Sequence, residues 1–414
     1  MNAKMPKTPL SKELSLEGGD SQAPIVRVVD KLFEMALSRR ASDIHLEPQE
    51  QGLFLRFRID GGLQTIHQFP REACPAIVSR IKILAAMDIA EKRLPQDGQI
   101  RTKVRDRDIE MRISTLPGKY GEKVVIRLLD KSVAAMDLGQ MGMAPKTQSQ
   151  FEMIIDKPQG IILVTGPTGS GKTTTLYSVL TRLRSPLKNI ITLEDPIEYE
   201  LMSEADDEAG VTQVQLNPKI GLTFSAGLRA SLRQDPDVIM VGEIRDKETA
   251  EVAMKAAMTG HLVLSTLHTN SAPETVGRLL DIGIDSYLIA STVISVMAQR
   301  LMRLLCETCK EAYQPPARML QNLFPGLKTG TIPTLYRPKG CARCQDAGYC
   351  GRQGIFELMP VTDELKRLIQ AEASVEELKK LAQDQGMATL RQSGLDLVCR
   401  GFTTIEEVFR NTVQ

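Results

Sequence analysis

The segment Gly166-Pro167-Thr168-Gly169-Ser170-Gly171-Lys172-Thr173 satisfies the pattern G-x-x-x-x-G-K-[ST] and follows the apolar run Ile161-Ile162-Leu163-Val164. The chemistry of such a segment is phosphate binding. Successive backbone N–H groups of a glycine-rich turn, and the N-terminus of the helix expected from Thr174 to Leu183, converge on one anion that the glycines let approach closely. Lys172 would reach the terminal phosphates of ATP as a point charge. The Thr173 hydroxyl would complete the shell of a Mg²⁺ ion that neutralises them.

Three further apolar runs end in polar residues, and open α/β sheets bind ligands at the carboxyl ends of their strands. Thr192-Leu193-Glu194-Asp195-Pro196-Ile197-Glu198 supplies three carboxylates, Val238 to Val241 leads into Gly242-Glu243, and Gly260 to His268 carries two histidines. Glu243 fits best as the carboxylate that orients water or the Mg²⁺ shell. Glu194, with Asp195 and Glu198, is a candidate for further metal or water contacts, and His268 could sense the γ-phosphate. His261 reads equally well as a structural hydrogen-bonder, and an acid after a strand can also serve only to cap the next helix.

Of seven cysteines, four form the pairs Cys306-x-x-Cys309 and Cys341-x-x-Cys344. Paired knuckles of this kind suit a closed, structural Cys₄ zinc site with no open position for catalysis. Cys74, Cys350 and Cys399 are left as ordinary thiols. Cysteine usage of this kind beside a nucleotide site argues for a reducing compartment and a metal rather than disulfides.

The elements that must position these groups can be read along the chain. At 414 residues, 42% hydrophobic and 25% charged, the sequence is globular and too long for one ordinary core. Residues 1–23 read as a flexible leader. A small α/β domain is expected over 24–130, opening with a helix that buries Val28, Val29, Leu32, Phe33 and Ala36. Short strands follow around the turn Asp60-Gly61-Gly62, with a second helix from Ala76 to Met87. A linker is expected at 131–146, an ATPase core with a parallel sheet at 147–303, a tetracysteine subdomain at 304–360 and a helical end at 361–414. Lys plus Arg (52) nearly cancels Asp plus Glu (51), and aromatics are 4% with no Trp. That balance gives neither a global field for nucleic acid nor a stacking surface for single strands. The apolar window Tyr287 to Ala298 is too short to span a membrane.

The order of these motifs, from the phosphate loop through Thr192–Glu198 and Leu232–Asp246 to the two-histidine segment, resembles the secretion ATPases of type II secretion and type IV pilus assembly. Ala41-Ser42-Asp43-Ile44-His45-Leu46-Glu47-Pro48 and Arg56-Phe57-Arg58-Ile59-Asp60-Gly61 resemble signatures of that family's small domain. The resemblance implies a RecA-like P-loop core behind a small PAS-like α/β domain, with ATP, Mg²⁺ and Zn²⁺ as ligands. It also implies a homo-hexameric motor at the cytoplasmic face of the inner membrane, working on a platform protein during pseudopilus or pilus assembly. Arg112 and Arg127 stand where the family places arginines that approach the γ-phosphate when the ring interface closes; without the resemblance they read as surface strand arginines. Family members usually carry a further N-terminal domain that docks on a membrane adaptor. Here only the leader precedes the small domain, so that contact is left open.

Overall fold

The computed structural model describes residues 23–104, 107–130, 136–201, 210–316 and 334–412. The expected leader up to residue 22, residues 131–135 of the expected linker and the stretch 317–333 between the cysteine pairs lie outside the described residues. The chain divides into two compact units, Met1–Ser132 and Val133–Gln414.

In the first unit, helix α1 (Ala23–Ser38) and strands β1 (Ala41–Gln49), β2 (Gly52–Ile59) and β3 (Gly62–Phe69) precede helix α2 (Cys74–Leu84). Strands β4 (Gln96–Val104), β5 (Arg107–Gly118) and β6 (Gly121–Asp130) complete it. All six strands form one antiparallel sheet in the order β3-β2-β1-β6-β5-β4. Asp60 and Gly61 both take positive φ, 48° and 81°, which gives the tight two-residue turn that joins β2 to β3. Alternation along each strand separates two faces. Ile44, Leu46, Leu53, Leu55, Phe57, Met111, Ile113, Val124 and Ile126 pack in one core with Val29, Leu32 and Ile77 of the helices. Asp43, Arg58, Arg112 and Arg127 occupy the intervening positions, on the other face.

The second unit is the expected α/β fold. Helix α3 (Pro145–Ile155) leads into β7 (Gly160–Thr165), α4 (Lys172–Leu183), β8 (Ile190–Glu194), β9 (Val211–Gln215), α5 (Phe224–Ser231), β10 (Val238–Val241), α6 (Lys247–Met258), β11 (Leu262–Leu267), α7 (Ala272–Asp281), α8 (Ser286–Thr292) and β12 (Val293–Leu305). After two short strands, β13 (Glu311–Tyr313) and β14 (Leu335–Arg337), come β15 (Tyr349–Pro360) and helices α9 (Asp363–Gln370), α10 (Val375–Asp384), α11 (Leu390–Cys399) and α12 (Ile405–Asn411). Seven strands form one sheet in the order β15-β12-β7-β11-β10-β8-β9. It is parallel throughout except for β15, which pairs antiparallel with β12. Every residue of β7, β8, β10 and β11 is buried, as a sheet covered on both faces requires. Ile161 and Leu163 enter one core, Ile162 and Val164 the other.

This sheet differs from the reading of 304–360 as a separate subdomain. β12 runs past residue 303, and β15 pairs with it from Ser295↔Pro360 to Leu305↔Tyr349. The last twelve residues of that segment, Tyr349–Pro360, are thus an edge strand of the seven-stranded sheet. The helical end packs on the same core: Leu365, Ile369, Leu378, Leu395 and Val408 share it with Ile161 and Val263. Within the expected linker, Leu138, Met141 and Met143 are buried beside Phe151 and Leu176. Among the described residues no helix is long and apolar enough to cross a membrane.

Candidate active site

The phosphate loop leaves the carboxyl end of β7 and enters α4 at Lys172. Gly166 has φ 152° and Gly171 φ 90°. A Cβ on Gly166 would stand 2.6 Å from the Gln299 carbonyl and 2.6 Å from Ser170 Oγ, and one on Gly171 would stand 2.7 Å from Gln299 Nε2. Conformation and clearance therefore both demand glycine here. The loop fits an anion. The Ser170 hydroxyl is buried without a hydrogen-bond partner. Lys172 Nζ donates to the carbonyls of its own loop, Gly166 (2.8 Å) and Pro167 (3.1 Å), groups a phosphate would replace. Burial pulls the Lys172 ammonium down from 10.5 to about 8, against the charge of Glu243 and with that of Arg300. An arriving polyphosphate would restore the full charge. Thr173 and Thr174 follow in the first turn of α4, half-buried.

Glu243 lies just past β10. Its turn is fixed by Gly242 N–H donating to Leu193 O (2.8 Å), Ile244 N–H donating to Thr266 O (3.0 Å) and the Thr266 hydroxyl donating to Gly242 O (2.7 Å). The carboxylate is paired with Arg245, and its second oxygen is 3.7 Å from His268 Nε2. His268 follows β11 on a loop tied to the phosphate loop's strand, because Thr269 N–H donates to Thr165 Oγ1 (2.9 Å). Burial, then Lys172, lowers the His268 imidazole below its ordinary value, with Glu243 opposing. Lys172, Glu243 and His268 thus meet at the ends of three strands that lie apart in sequence. His261 does not join them. It precedes β11, about 20 Å along the strand from His268, and its Nδ1 meets Ala256 O at 2.8 Å, a structural role.

The four cysteines converge as well, with all Sγ atoms within 4.8 Å of one another. Cys306 and Cys341 are 3.9 Å apart, Cys309 and Cys344 3.7 Å, and Cys341 and Cys344 3.7 Å. A tetrahedral zinc with Zn–S near 2.3 Å requires about 3.8 Å between sulfurs, whereas a disulfide would need about 2.05 Å. Backbone N–H groups of Cys341 (3.2 Å) and Gly348 (3.3 Å) donate to Cys344 Sγ, the second-shell support that thiolate ligands take. The residues fit zinc.

On the first unit, Arg112 and Arg127 are cross-strand partners on β5 and β6, equidistant from the turn Lys119-Tyr120. The register continues on either side: Arg127 faces Asp43, Asp43 faces Arg58, and Arg112 faces Gln99. Arg127 Nε donates to Asp43 Oδ1 at 3.2 Å, and Arg58 Nε lies 3.7 Å from Asp43 Oδ2. Two guanidiniums placed side by side repel, so the row carries a local excess of positive charge that Asp43 offsets in part.

Comparison with known proteins then decides the family. The model of the family described as type II/IV secretion system protein matches residues 19–410. The chain belongs to that family. Type II secretion system protein E of Dickeya dadantii is 50% identical over 394 residues, covering 95% of this chain and 77% of that protein. The type IV pilus assembly ATPase PilB of Myxococcus xanthus is 49% identical over 393 residues, covering 94% and 68%. Among solved structures, the pilus retraction motor PilT with bound ADP superposes with a TM-score of 0.60 at 25% identity, covering 93% of this chain and 97% of that one.

Within this secretion-family core, Glu194 sits differently from the expectation of an open metal or water ligand. It is 3% exposed. Its carboxylate accepts from Thr192 Oγ1 (2.6 Å), Gln213 Nε2 (3.2 Å) and the Tyr177 hydroxyl of α4. Burial raises its pKa, with those hydrogen bonds opposing. Both oxygens are engaged, so Glu194 braces the phosphate-loop helix against β8. Sequence reasoning missed Gln299 and Arg300. Gln299 Oε1 accepts from Thr175 Oγ1 (2.6 Å) beneath the loop, and Arg300 is buried beside Gly166. The available signal was the one used for the other strands: polar residues ending an apolar run.

Proposed function

We propose that this secretion-family chain is a Mg²⁺-dependent ATPase motor that drives assembly of a pseudopilus in type II protein secretion. The observation that carries the reading is the meeting of Lys172, Glu243 and His268 at a phosphate loop. In this reading Gly166 to Thr174 bind the nucleotide through backbone amides, and Lys172 holds its terminal phosphates. Thr173 and Glu243 would hold Mg²⁺, which neutralises charge on those phosphates. Glu243 also orients the attacking water, while His268, beside Glu243, senses the γ-phosphate. Arg112 and Arg127 supply positive charge when the small domain closes on the site, so that hydrolysis and motion are coupled.

The tetracysteine centre holds one structural zinc. The working unit is a homo-hexamer on the cytoplasmic face of the inner membrane, acting on a platform protein. These quaternary and cellular assignments rest on the family resemblance and on relatives named for type II secretion. Type IV pilus assembly is the second reading, favoured by the identity to a pilus assembly ATPase. No nucleic acid is required by either.

The test is phosphate release from ATP by the purified chain across a range of protein concentrations, with Mg²⁺ and with EDTA. Mg²⁺-dependent release that rises more than in proportion to concentration supports a ring ATPase. Tight ATP binding with no release at any concentration would make the protein a regulatory scaffold, and salt-dependent DNA binding would favour a translocase.

A further inference from the structure

Arg300 is a buried charge beside the phosphate loop that the mechanism above leaves unused. It is 9% exposed and stands two residues beyond the pair Ala298↔Thr165, where β12 runs alongside the start of the loop. Its Nη1 donates to the Gln299 carbonyl (3.0 Å) and lies 3.1 Å from the point that a Cβ on Gly166 would occupy. Its Nη2 donates to both the backbone carbonyl (3.2 Å) and the side-chain Oδ1 (3.1 Å) of Asn270. Those partners are neutral oxygens, while Glu274 and Glu357 act on the guanidinium through space. Burying a cation against neutral acceptors is costly, and an apolar side chain would fill the same volume at lower cost. Packing alone does not account for it.

Asn270 lies two residues past His268. The same loop is also anchored by Thr269, whose N–H donates to Thr165 Oγ1 (2.9 Å) and whose hydroxyl pairs with that of Thr165 (2.7 Å), by Asn270 N–H to Glu274 Oε2 (2.9 Å), by Ala272 N–H to Glu357 Oε1 (2.7 Å) and by the His268 ring on the Gly166 backbone. Among these contacts Arg300 is the positively charged one, and it ties both the backbone and the side chain of Asn270 to the Gln299 carbonyl beside Gly166. We propose that Arg300 is a positioning residue of the ATP site, which through Asn270 holds the loop carrying His268 against the shoulder of the phosphate loop at Gly166. The proposal rests on the ATPase reading above and adds a residue to it. The planar fork sets an orientation as well as a distance, which the single nitrogen of a lysine cannot reproduce. Its contribution is to turnover, because His268 faces Glu243 and the terminal phosphate, while the main nucleotide contacts lie on the loop itself.

The experiment measures kcat and KM for ATP, and binding of a fluorescent ATP analogue, in the full chain carrying His268→Ala, Asn270→Ala, Arg300→Lys or Arg300→Gln. Misplacing a group at a reacting centre costs up to about 100-fold. We expect kcat to fall about tenfold in Asn270→Ala and more in Arg300→Gln, with Arg300→Lys between wild type and Arg300→Gln. Analogue affinity should stay within about twofold, because uniform binding is untouched. Arg300→Gln should add no further loss in a His268→Ala background, since both act through one group. Asn270 is exposed, so its variant carries the test if Arg300→Gln does not fold. Reduced turnover in His268→Ala beside wild-type kcat in Asn270→Ala and Arg300→Lys overturns the proposal. Wild-type turnover in His268→Ala overturns the role of His268 on which it rests, and equal losses of affinity and kcat overturn the positioning role in favour of plain nucleotide binding.

Discussion

The phosphate loop draws its support from far along the chain: Gln299, bonded to Thr175 across 124 residues, lies under Gly171, and Thr269 is bonded to Thr165 across 104 residues. The cysteine centre is assembled from two short knuckles, each closing within four residues on its own backbone amides. An anion site at strand ends is therefore only as well formed as the sheet behind it. A Cys₄ site instead carries its own folding free energy in the metal. The two nevertheless share a strand, because β12 passes the phosphate loop at Gln299 and ends at Leu305, one residue before Cys306.

Perturbations should separate the two regions, beginning with the largest effect. Lys172→Ala removes a partly buried charge from the phosphates. Truncating one member of such a pair costs about 2–5 kcal/mol, so ATP affinity measured by calorimetry should fall by tens- to thousands-fold while zinc content stays unchanged. In the proposed mechanism Arg112→Ala or Arg127→Ala removes a charge required only in the closed state. Turnover should drop by about 2–4 kcal/mol, tens- to several-hundred-fold, with nucleotide affinity nearly constant. Equal losses in both quantities would return these residues to ordinary strand arginines.

A smaller effect on the nucleotide site is expected from the metal. If the four cysteines hold one zinc per chain as proposed, elemental analysis should find it in the wild type and not in the double variant Cys341→Ser/Cys344→Ser, whose segment around β13 and β14 should loosen. Nucleotide affinity should change by less than about threefold if the knuckles fold with their metal and the loop with its sheet. Retained zinc would reassign the ligands, and abolished ATP binding would show that β12 transmits far more than the two architectures suggest.

The smallest expected effect lies beside that strand. Glu407, buried, is held by Arg303 of β12 through two hydrogen bonds from the guanidinium (2.6 and 3.1 Å) and one from the backbone N–H (3.4 Å). Burial acts to raise its pKa and is outweighed by Arg303 and then Arg410, leaving the value depressed. A depressed carboxylate stabilises the fold above its unfolded value, near 4.5, and loses that contribution as pH falls through the folded value. Glu407→Gln should therefore cost about 2 kcal/mol at pH 7. The gap in unfolding midpoint between variant and wild type should narrow on acidification below that range; a constant gap would mean that the charge is irrelevant.

What was legible in the sequence follows the same contrast. The phosphate loop, Glu243 and the cysteine pairs stand out by local pattern in contiguous residues, so they could be singled out before the fold was known. The facing of Arg112 and Arg127 was implicit in their equal distance from one hairpin turn. Gln299 and Arg300 were not found, because Ser286 to Leu305 contains no Gly or Pro to mark where α8 ends and β12 begins. β15 was assigned to the cysteine segment because it follows Cys344 in sequence, whereas its pairing partner is set by the sheet. The burial of Glu194 could not be read from the sequence, since its partners Tyr177 and Gln213 come from other elements and only the fold brings them to it.

The central claim, that the site at the carboxyl ends of these strands hydrolyses ATP with Glu243 preparing the attack, is tested most directly by Glu243→Gln. The substitution preserves shape and removes the charge that orients water, so the account predicts ATP binding at near wild-type affinity together with loss of phosphate release by about 100-fold or more. Wild-type phosphate release from the purified variant would contradict it.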